Sequence, residues 1–347
     1  MVFHTNLNEA TAMKPSLSAL PIRALVAALF AGLQLLSFAQ AAELPASSEP
    51  VQLRNQAPGF FRMQLGDFTV TTLFDKSLQL PTSVLQGAAP GQIQTLLDAG
   101  DNPLSAFPVS DNAFLIHTGH ELVLIDTGAG RFYGEGDGSL LDNLRAAGYQ
   151  PEQVGKIILT HLHADHIGGL LRPDGQPAFP NAAIYSHSAD FALWTSAEMA
   201  RSTDPAKRKL HGIVKTVSEA YRAAGRWHTF DGQAEIAPGV TAVPLPGHTA
   251  GHTGVKVSSH GETLWAVGDM IHNLAAQSAQ PAIYASFDTD GGQAAATRRQ
   301  AFARIAAGHD WIAAAHAPFP GIGRLRDDGG RFAWLPAERL PLAESPR

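Results

Sequence analysis

Short apolar runs that stop abruptly at polar residues set the rhythm of this chain. Ile157-Ile158-Leu159 stops just before His161, and Val240-Thr241-Ala242-Val243 runs toward His248. Thr263-Leu264-Trp265-Ala266-Val267 ends at Gly268-Asp269, and Trp311-Ile312-Ala313-Ala314-Ala315 ends at His316. Runs of this length predict buried strands. Further strands are expected over 61–65, 68–73 and 182–186. Hairpins are expected over 112–118 and 121–126 around Gly119, over 255–267 around His260-Gly261, and over 324–335 around 328–330. Helical stretches are expected over 92–99, 139–147, 188–200, 207–224 and 293–307, with Ser188 as an N-cap and Gly225 and Gly308 as stops. Strands and helices mix without a dividing linker, which predicts one domain of mixed α and β content.

The polar residues at these run ends are chemically alike. His161-Leu162-His163-Ala164-Asp165-His166 packs three imidazoles and a carboxylate into six residues. On an extended segment His161 and His163 point the same way, because side chains repeat with period two. Asp165 and His166 then fall in a turn that Gly168-Gly169 permits. This is more than one zinc ion needs. His248, Asp269 and His316 supply further donors at three other run ends, where a sheet protein gathers side chains along one edge. The sharing predicted is His161, His163 and His248 on one ion and Asp165, His166 and His316 on another. Asp269 bridges the two through its two carboxylate oxygens.

Fifteen histidines are present, and five are assigned to metal. His117 and His120 flank a turn. His187, His211, His228 and His260 lack metal spacing, and His309 sits at a helix end where the dipole favours a cation. His252 and Asp126 are candidates to orient ligands from behind, and for Asp126 a turn or helix-cap role is an equal alternative.

The pattern His161-x-His163-x-Asp165-His166, followed by His248, Asp269 and His316, resembles the metallo-β-lactamase superfamily. More narrowly, the chain is similar to methyl parathion hydrolase-like enzymes. The shared stretches include Asn55-Gln56-Ala57-Pro58-Gly59-Phe60, Leu124-Ile125-Asp126-Thr127-Gly128 and Ala147-Gly148-Tyr149-Gln150-Pro151-Glu152-Gln153. Ala178-Phe179-Pro180-Asn181-Ala182 and His316-Ala317-Pro318-Phe319-Pro320-Gly321-Ile322-Gly323 match as well. The resemblance implies an α+β fold, the αββα four-layer sandwich of that superfamily, over residues 55–347. It also implies a homodimer, and an aromatic pocket wall to which Trp194 and Tyr133, with Phe132 beside it, correspond by position.

Two adjacent cations bring the pKa of a bridging water close to neutrality, and the hydroxide attacks phosphorus or a carbonyl carbon. Zinc suits the donors, and cobalt, manganese or iron would fit the same cage. Asp165 and Asp269 then act in catalysis as well as in ligation. Acyl-homoserine lactonases carry a tyrosine three residues after the bridging aspartate, and here that place is His272, which can also donate a proton or serve as pocket wall. The expected function is hydrolysis of a small-molecule ester, first an aryl phosphotriester of the methyl parathion or paraoxon type. The alternative is a lactonase or arylesterase acting on aryl lactones such as dihydrocoumarin at the same site. A metal-free binding module is the opposing class, and the seven donors at run ends speak against it. The flanking stretches do not point to a β-lactamase or a glyoxalase-like thioesterase.

Composition narrows this little. Hydrophobic residues make up 45% and charged residues 16% of the chain, as in ordinary globular proteins. A net charge of −6 gives no reason to expect nucleic acid as a partner. The chain has no cysteine, which excludes disulfides, thiol nucleophiles and thiolate metal ligands. Met13-Lys14 and Arg23 precede an apolar core over 24–38 and a small-x-small site, Ala39-Gln40-Ala41. This predicts a signal peptide over 13–41, an upstream extension over 1–12, a flexible lead over 42–54, and a periplasmic or secreted enzyme without a stable membrane anchor.

Overall fold

The computed structural model describes residues 56–99, 105–134 and 136–338, with residue 342. The extension, signal peptide and lead expected over 1–54 lie outside the described residues. In chain order the first eight strands are β1 (Phe60–Leu65), β2 (Phe68–Pro81), β3 (Leu85–Gln86), β4 (Ala106–His117), β5 (Leu122–Ile125), β6 (Val154–Ile158), β7 (Ala183–His187) and β8 (Trp227–Phe230). The last eight are β9 (Ala234–Ala237), β10 (Val240–Pro244), β11 (Thr253–Ser259), β12 (Glu262–Ala266), β13 (Tyr284–Ala285), β14 (Trp311–Ala313), β15 (Ile322–Asp327) and β16 (Phe332–Pro336). One seven-stranded sheet runs β1-β2-β4-β5-β6-β7-β8, and the other runs β16-β15-β14-β12-β11-β10-β9. The short pair β3 and β13 forms a separate ribbon.

Three apolar clusters define the layers. The central one joins Val70, Phe114, Ile116, Val123 and Ile158 of the first sheet to Val240, Val255, Val257, Leu264 and Ala313 of the second. The outer face of the first sheet packs Leu115, Leu124 and Ile157 against Leu144, Val214, Val217 and Tyr221 of the helices Leu140–Ala146 and Pro205–Arg222. The outer face of the second packs Trp265 and Ile312 against Ala301, Phe302 and Ile305 of the helix Gly291–Ala307. Two sheets face each other with helices on both outer faces, as the four-layer αββα expectation requires. The central strands, such as β5, which is buried throughout, bury one face between the sheets and the other under helices, so their residues are apolar on both sides.

Several boundaries differ from the sequence expectation for local reasons. β2 continues to Pro81, because its second half pairs with 106–111 of β4. The helix expected over 188–200 is two, Ser188–Trp194 and Ala197–Ala200, and the Ser196 hydroxyl caps the second by accepting from the Met199 amide. His187, not Ser188, caps the first: its ring accepts from the Ala189 amide. The long helix starts at Pro205, capped by Asp204. Among the described residues, no helix is long and apolar enough to cross a membrane.

β5 to β8 are parallel, as are β12 and β14. The carboxyl ends of β5, β6, β10, β12 and β14 meet at one edge. There the Thr253 amide donates to the Thr160 carbonyl (2.8 Å) and ties the second sheet to the first. Ligands of open α/β sheets gather at such carboxyl ends.

Candidate metal centre

β6 stops at Ile158, so His161 and His163 lie in the segment beyond the strand rather than on it, which corrects the expectation of a ligand-bearing strand. Asp165 and His166 occupy a single helical turn, Ala164–Ile167. His248 follows β10 in the loop 245–252, Asp269 sits on the turn Gly268–Met270 after β12, and His316 lies past the end of β14.

These side chains converge. His248 Nε2 lies 3.1 Å from His161 Nε2 and 3.0 Å from His163 Nδ1. Asp269 Oδ2 faces this group, 3.2 Å from His248 Nε2 and 3.7 Å from His161 Nε2. Its other oxygen, Oδ1, lies 2.9 Å from His166 Nε2 and 3.1 Å from His316 Nε2. His316 Nε2 is 3.7 Å from Asp165 Oδ2. His161, His163, His248 and Asp269 thus form one donor set, Asp165, His166 and His316 form another, and within each the donor atoms lie within 4.8 Å of one another. Asp269 turns one oxygen to each.

The rings are held from behind in a way that decides their tautomers. His248 Nδ1 donates to Asp288 Oδ1 (2.7 Å), His166 Nδ1 to Asp126 Oδ2 (2.9 Å) and His316 Nδ1 to the Ser110 carbonyl (2.9 Å). His161 Nδ1 meets the Thr160 hydroxyl (3.1 Å), whose own proton goes to Asp126 Oδ2 (2.8 Å). With Nδ1 as donor, the neutral rings of His161 and His248 present an Nε2 lone pair inward. Lone pairs 3 Å apart cannot bond one another and repel unless a cation lies between them. Behind Asp269, His252 Nδ1 donates to the Leu245 carbonyl (2.8 Å), so its Nε2 accepts from the Asp269 amide (3.1 Å). His252 therefore orients Asp269 and is no donor to the centre. Asp126, open between two readings, holds His166 and also accepts from the Thr160 amide (2.8 Å).

Electrostatics divide the rings. Burial pushes His161 and His163 below the ordinary imidazole value and His248 down to about 3, so these stay neutral. Burial is the largest single influence on His166 and His316 too, but the surrounding carboxylates together outweigh it: Asp269 and Asp126 raise His166 well above, and Asp269 with Asp165 raises His316 to about 9. Burial would raise Asp269, and the surrounding histidines, His166 first, drive it well below the usual carboxylate range. A carboxylate between three neutral rings and two rings that give up a proton when a cation displaces it is donor chemistry suited to a divalent cation pair.

A cavity of about 400 Å³ opens onto this centre. Leu78, Leu80 and Val109 form one wall, Leu210 and Ile213 another, and Phe132, Tyr133 and Phe287 complete it. His163, Asp165, Asp269, His272 and His316 also line it. His272 Nε2 lies 3.1 Å from Asp269 Oδ2, and its ring packs 4.9 Å from Phe287. Trp194, expected on this wall, is instead buried in the helix-side core, its ring 6.1 Å from His163. A tryptophan on an amphipathic helix can face core or pocket, and this one faces core. Sequence reasoning missed Phe287, Asp288 and the aliphatic walls.

A profile of the Metallo-beta-lactamase superfamily matches residues 106–316. Among solved structures, hydrolase AbOPH in the beta lactamase superfamily is 33% identical, with 82% of this chain and 99% of that one covered and a TM-score of 0.76. AidC, a dizinc quorum-quenching lactonase, is 26% identical over 82% of this chain and 99% of its own, with a TM-score of 0.73. An N-acyl homoserine lactonase of Bacillus sp is 27% identical over 120 residues, 35% of this chain and 39% of that protein. The chain thus matches about two fifths of the length of that curated relative.

Proposed function

The chain belongs to the metallo-beta-lactamase superfamily, and from that premise we propose a hydrolase with a binuclear metal centre that opens neutral esters bearing an apolar substituent, lactones foremost. One observation carries the reading: the two donor sets open directly into an apolar cavity. His161, His163 and His248 would hold one cation and Asp165, His166 and His316 the other, with Asp269 between them. Two divalent ions there, zinc first among the metals such donors suit, supply water acidified to near-neutral pKa and polarisation of the ester oxygen.

The protein's own groups do the rest. Lys209 is the one charged side chain lining the cavity outside the donor sets, among the described residues, so a neutral substrate fits better than a charged one. Leu78, Leu80, Val109, Leu210 and Ile213 would bury an aliphatic or aryl substituent. His272 turns Nε2 toward the centre, where an imidazole can give a proton to a departing alkoxide. An alkoxide needs that proton, and an acidic phenol does not. This supports ranking lactones above the phosphotriester expected first from sequence. The likeness to lactonases supports it too. The second reading, an aryl phosphotriester, draws support from Phe132, Tyr133 and Phe287, on which a flat leaving group can stack.

The test compares γ-butyrolactone, whose leaving group is an alkoxide, with methyl paraoxon on metal-loaded protein and on its His272→Leu variant. Loss of a general acid is expected to cost about 10²-fold on the lactone and little on the triester, at unchanged metal content. Fast triester turnover beside negligible lactone opening would establish the second reading instead. Full activity after chelation would remove both.

A further inference from the structure

β2 and β4 pair residue for residue, except that the register shifts between Phe74 and Lys76. Asp75 is the extra residue of a bulge, a device that re-aims a side chain. Regular alternation would send Asp75 and Lys76 to opposite faces. Here both reach the same loop, and both are buried. The Asp75 carboxylate accepts from the Ala129 amide (2.9 Å) through Oδ2, and from the Ser139 (2.9 Å) and Leu140 (3.0 Å) amides through Oδ1. The Lys76 ammonium donates to the carbonyls of Tyr133 (3.1 Å) and Gly136 (2.7 Å). Gly128 and Gly138 both have positive φ, and a Cβ on either would overlap the Asp75 carboxyl.

One bulge therefore grips the stretches 128–134 and 136–140 at both ends and in the middle. Those stretches carry Phe132 and Tyr133 to the cavity. Asp75 and Lys76 do not themselves line it. Burying a carboxylate and an ammonium is costly unless both are hydrogen-bonded, and here both are turned on the main chain of one loop.

We propose that Asp75 and Lys76 are positioning residues for selectivity. By pinning this main chain they hold the Phe132–Tyr133 wall at a set distance from the donor centre, and so limit the breadth of substituent that enters. The inference rests on the cavity being the substrate site.

The test uses full-length, metal-loaded protein carrying Lys76→Met, with Lys76→Arg as rescue. The first readout is limited trypsin cleavage after the exposed Arg131, followed by mass spectrometry. Loss of two main-chain hydrogen bonds is expected to speed that cut by about tenfold in Lys76→Met, with Lys76→Arg restoring resistance. The second readout is the ratio of kcat/KM for dihydrocoumarin to that for γ-butyrolactone. The ratio is expected to change by about tenfold through the KM of the larger lactone, while kcat on the smaller one and metal content hold. Wild-type cleavage kinetics in Lys76→Met would overturn the clamp. Faster cleavage with an unchanged ratio would overturn the selectivity. Should the wild-type protein open neither lactone, the proposed function fails, and the cleavage rate alone decides the clamp.

Discussion

His248 shows how each donor ring is fixed. Its inward nitrogen faces two other imidazoles, and its outward N–H is held by Asp288 at 2.7 Å. Asp288 is itself fixed by the Ala285 amide (2.8 Å), and the next two amides, of Thr289 and Asp290, donate to the carbonyls of His248 and Gly247. A carboxylate behind a ligating imidazole raises its basicity and locks its tautomer. Asp288→Asn keeps the shape and loses the charge. Its affinity for zinc is expected to fall about 10- to 100-fold, read by competition with a chromogenic chelator; unchanged affinity would show that Asp288 is only a loop anchor. The donors themselves were legible in the sequence, because three imidazoles and a carboxylate crowded into six residues seldom serve anything but a metal. Asp288 was not, since it lies in a loop without periodicity and its partner is 40 residues away. Trp194 and Phe287 make the same point about walls. An aromatic residue's type says that it will be buried, and only the packing says against what.

At the level of elements, the glycines after the donor motif act differently from the turn-makers the sequence suggests. Neither Gly168 nor Gly169 has a positive φ; what they allow is close approach. A Cβ on Gly168 would overlap the Ala129 carbonyl, and one on Gly169 the Thr127 carbonyl. Around them the Thr127 amide and hydroxyl both donate to the His166 carbonyl (2.9 Å each), and the Gly169 amide donates to the Gly128 carbonyl (3.1 Å). The helical turn bearing Asp165 and His166 is thereby docked on the loop that follows β5. Gly169→Ala is expected to cost about 2–4 kcal/mol. In a domain of this size that lowers Tm by several degrees, and the same shift should weaken metal retention by Asp165 and His166. An unchanged melting curve would mean that the loop yields freely. Element type was legible wherever an apolar run was long, as in β12 and the helix Gly291–Ala307. It was not legible for β3, β13 or β9, which are short and lie in a ribbon or at a sheet edge, or for the second half of β2, where the bulge breaks alternation. The four layers lay beyond periodicity altogether, because nothing in a strand's own pattern says which sheet it joins.

At the scale of the molecule, the centre is a seam. His161, His163, Asp165 and His166 follow the first sheet, and His248, Asp269 and His316 follow strands of the second. Ions held there would cross-link the two sheets, so metal binding would be linked to folding. The titration of the rings gives that linkage a sign. His316 rises from 6.5 to about 9 because Asp269 and Asp165 together outweigh burial, and His166 rises because Asp269 and Asp126 together do. A raised base contributes stability that is complete below its unfolded value and is lost as pH climbs through its folded one. His161, His163 and His248 are lowered by burial, so they cost stability once pH falls below 6.5. Chelated protein is therefore expected to melt highest near pH 6.5 and lower on both sides. Metal requires every ring neutral, so protons compete with it most at His166 and His316, and that competition fades as pH rises. The gap in Tm between zinc-loaded and chelated protein should widen steadily from pH 6.5 to 9, as followed by thermal melts in matched buffers. A gap that is flat or narrows over that interval would mean that the paired carboxylate and imidazoles of the seam do not bind the cations.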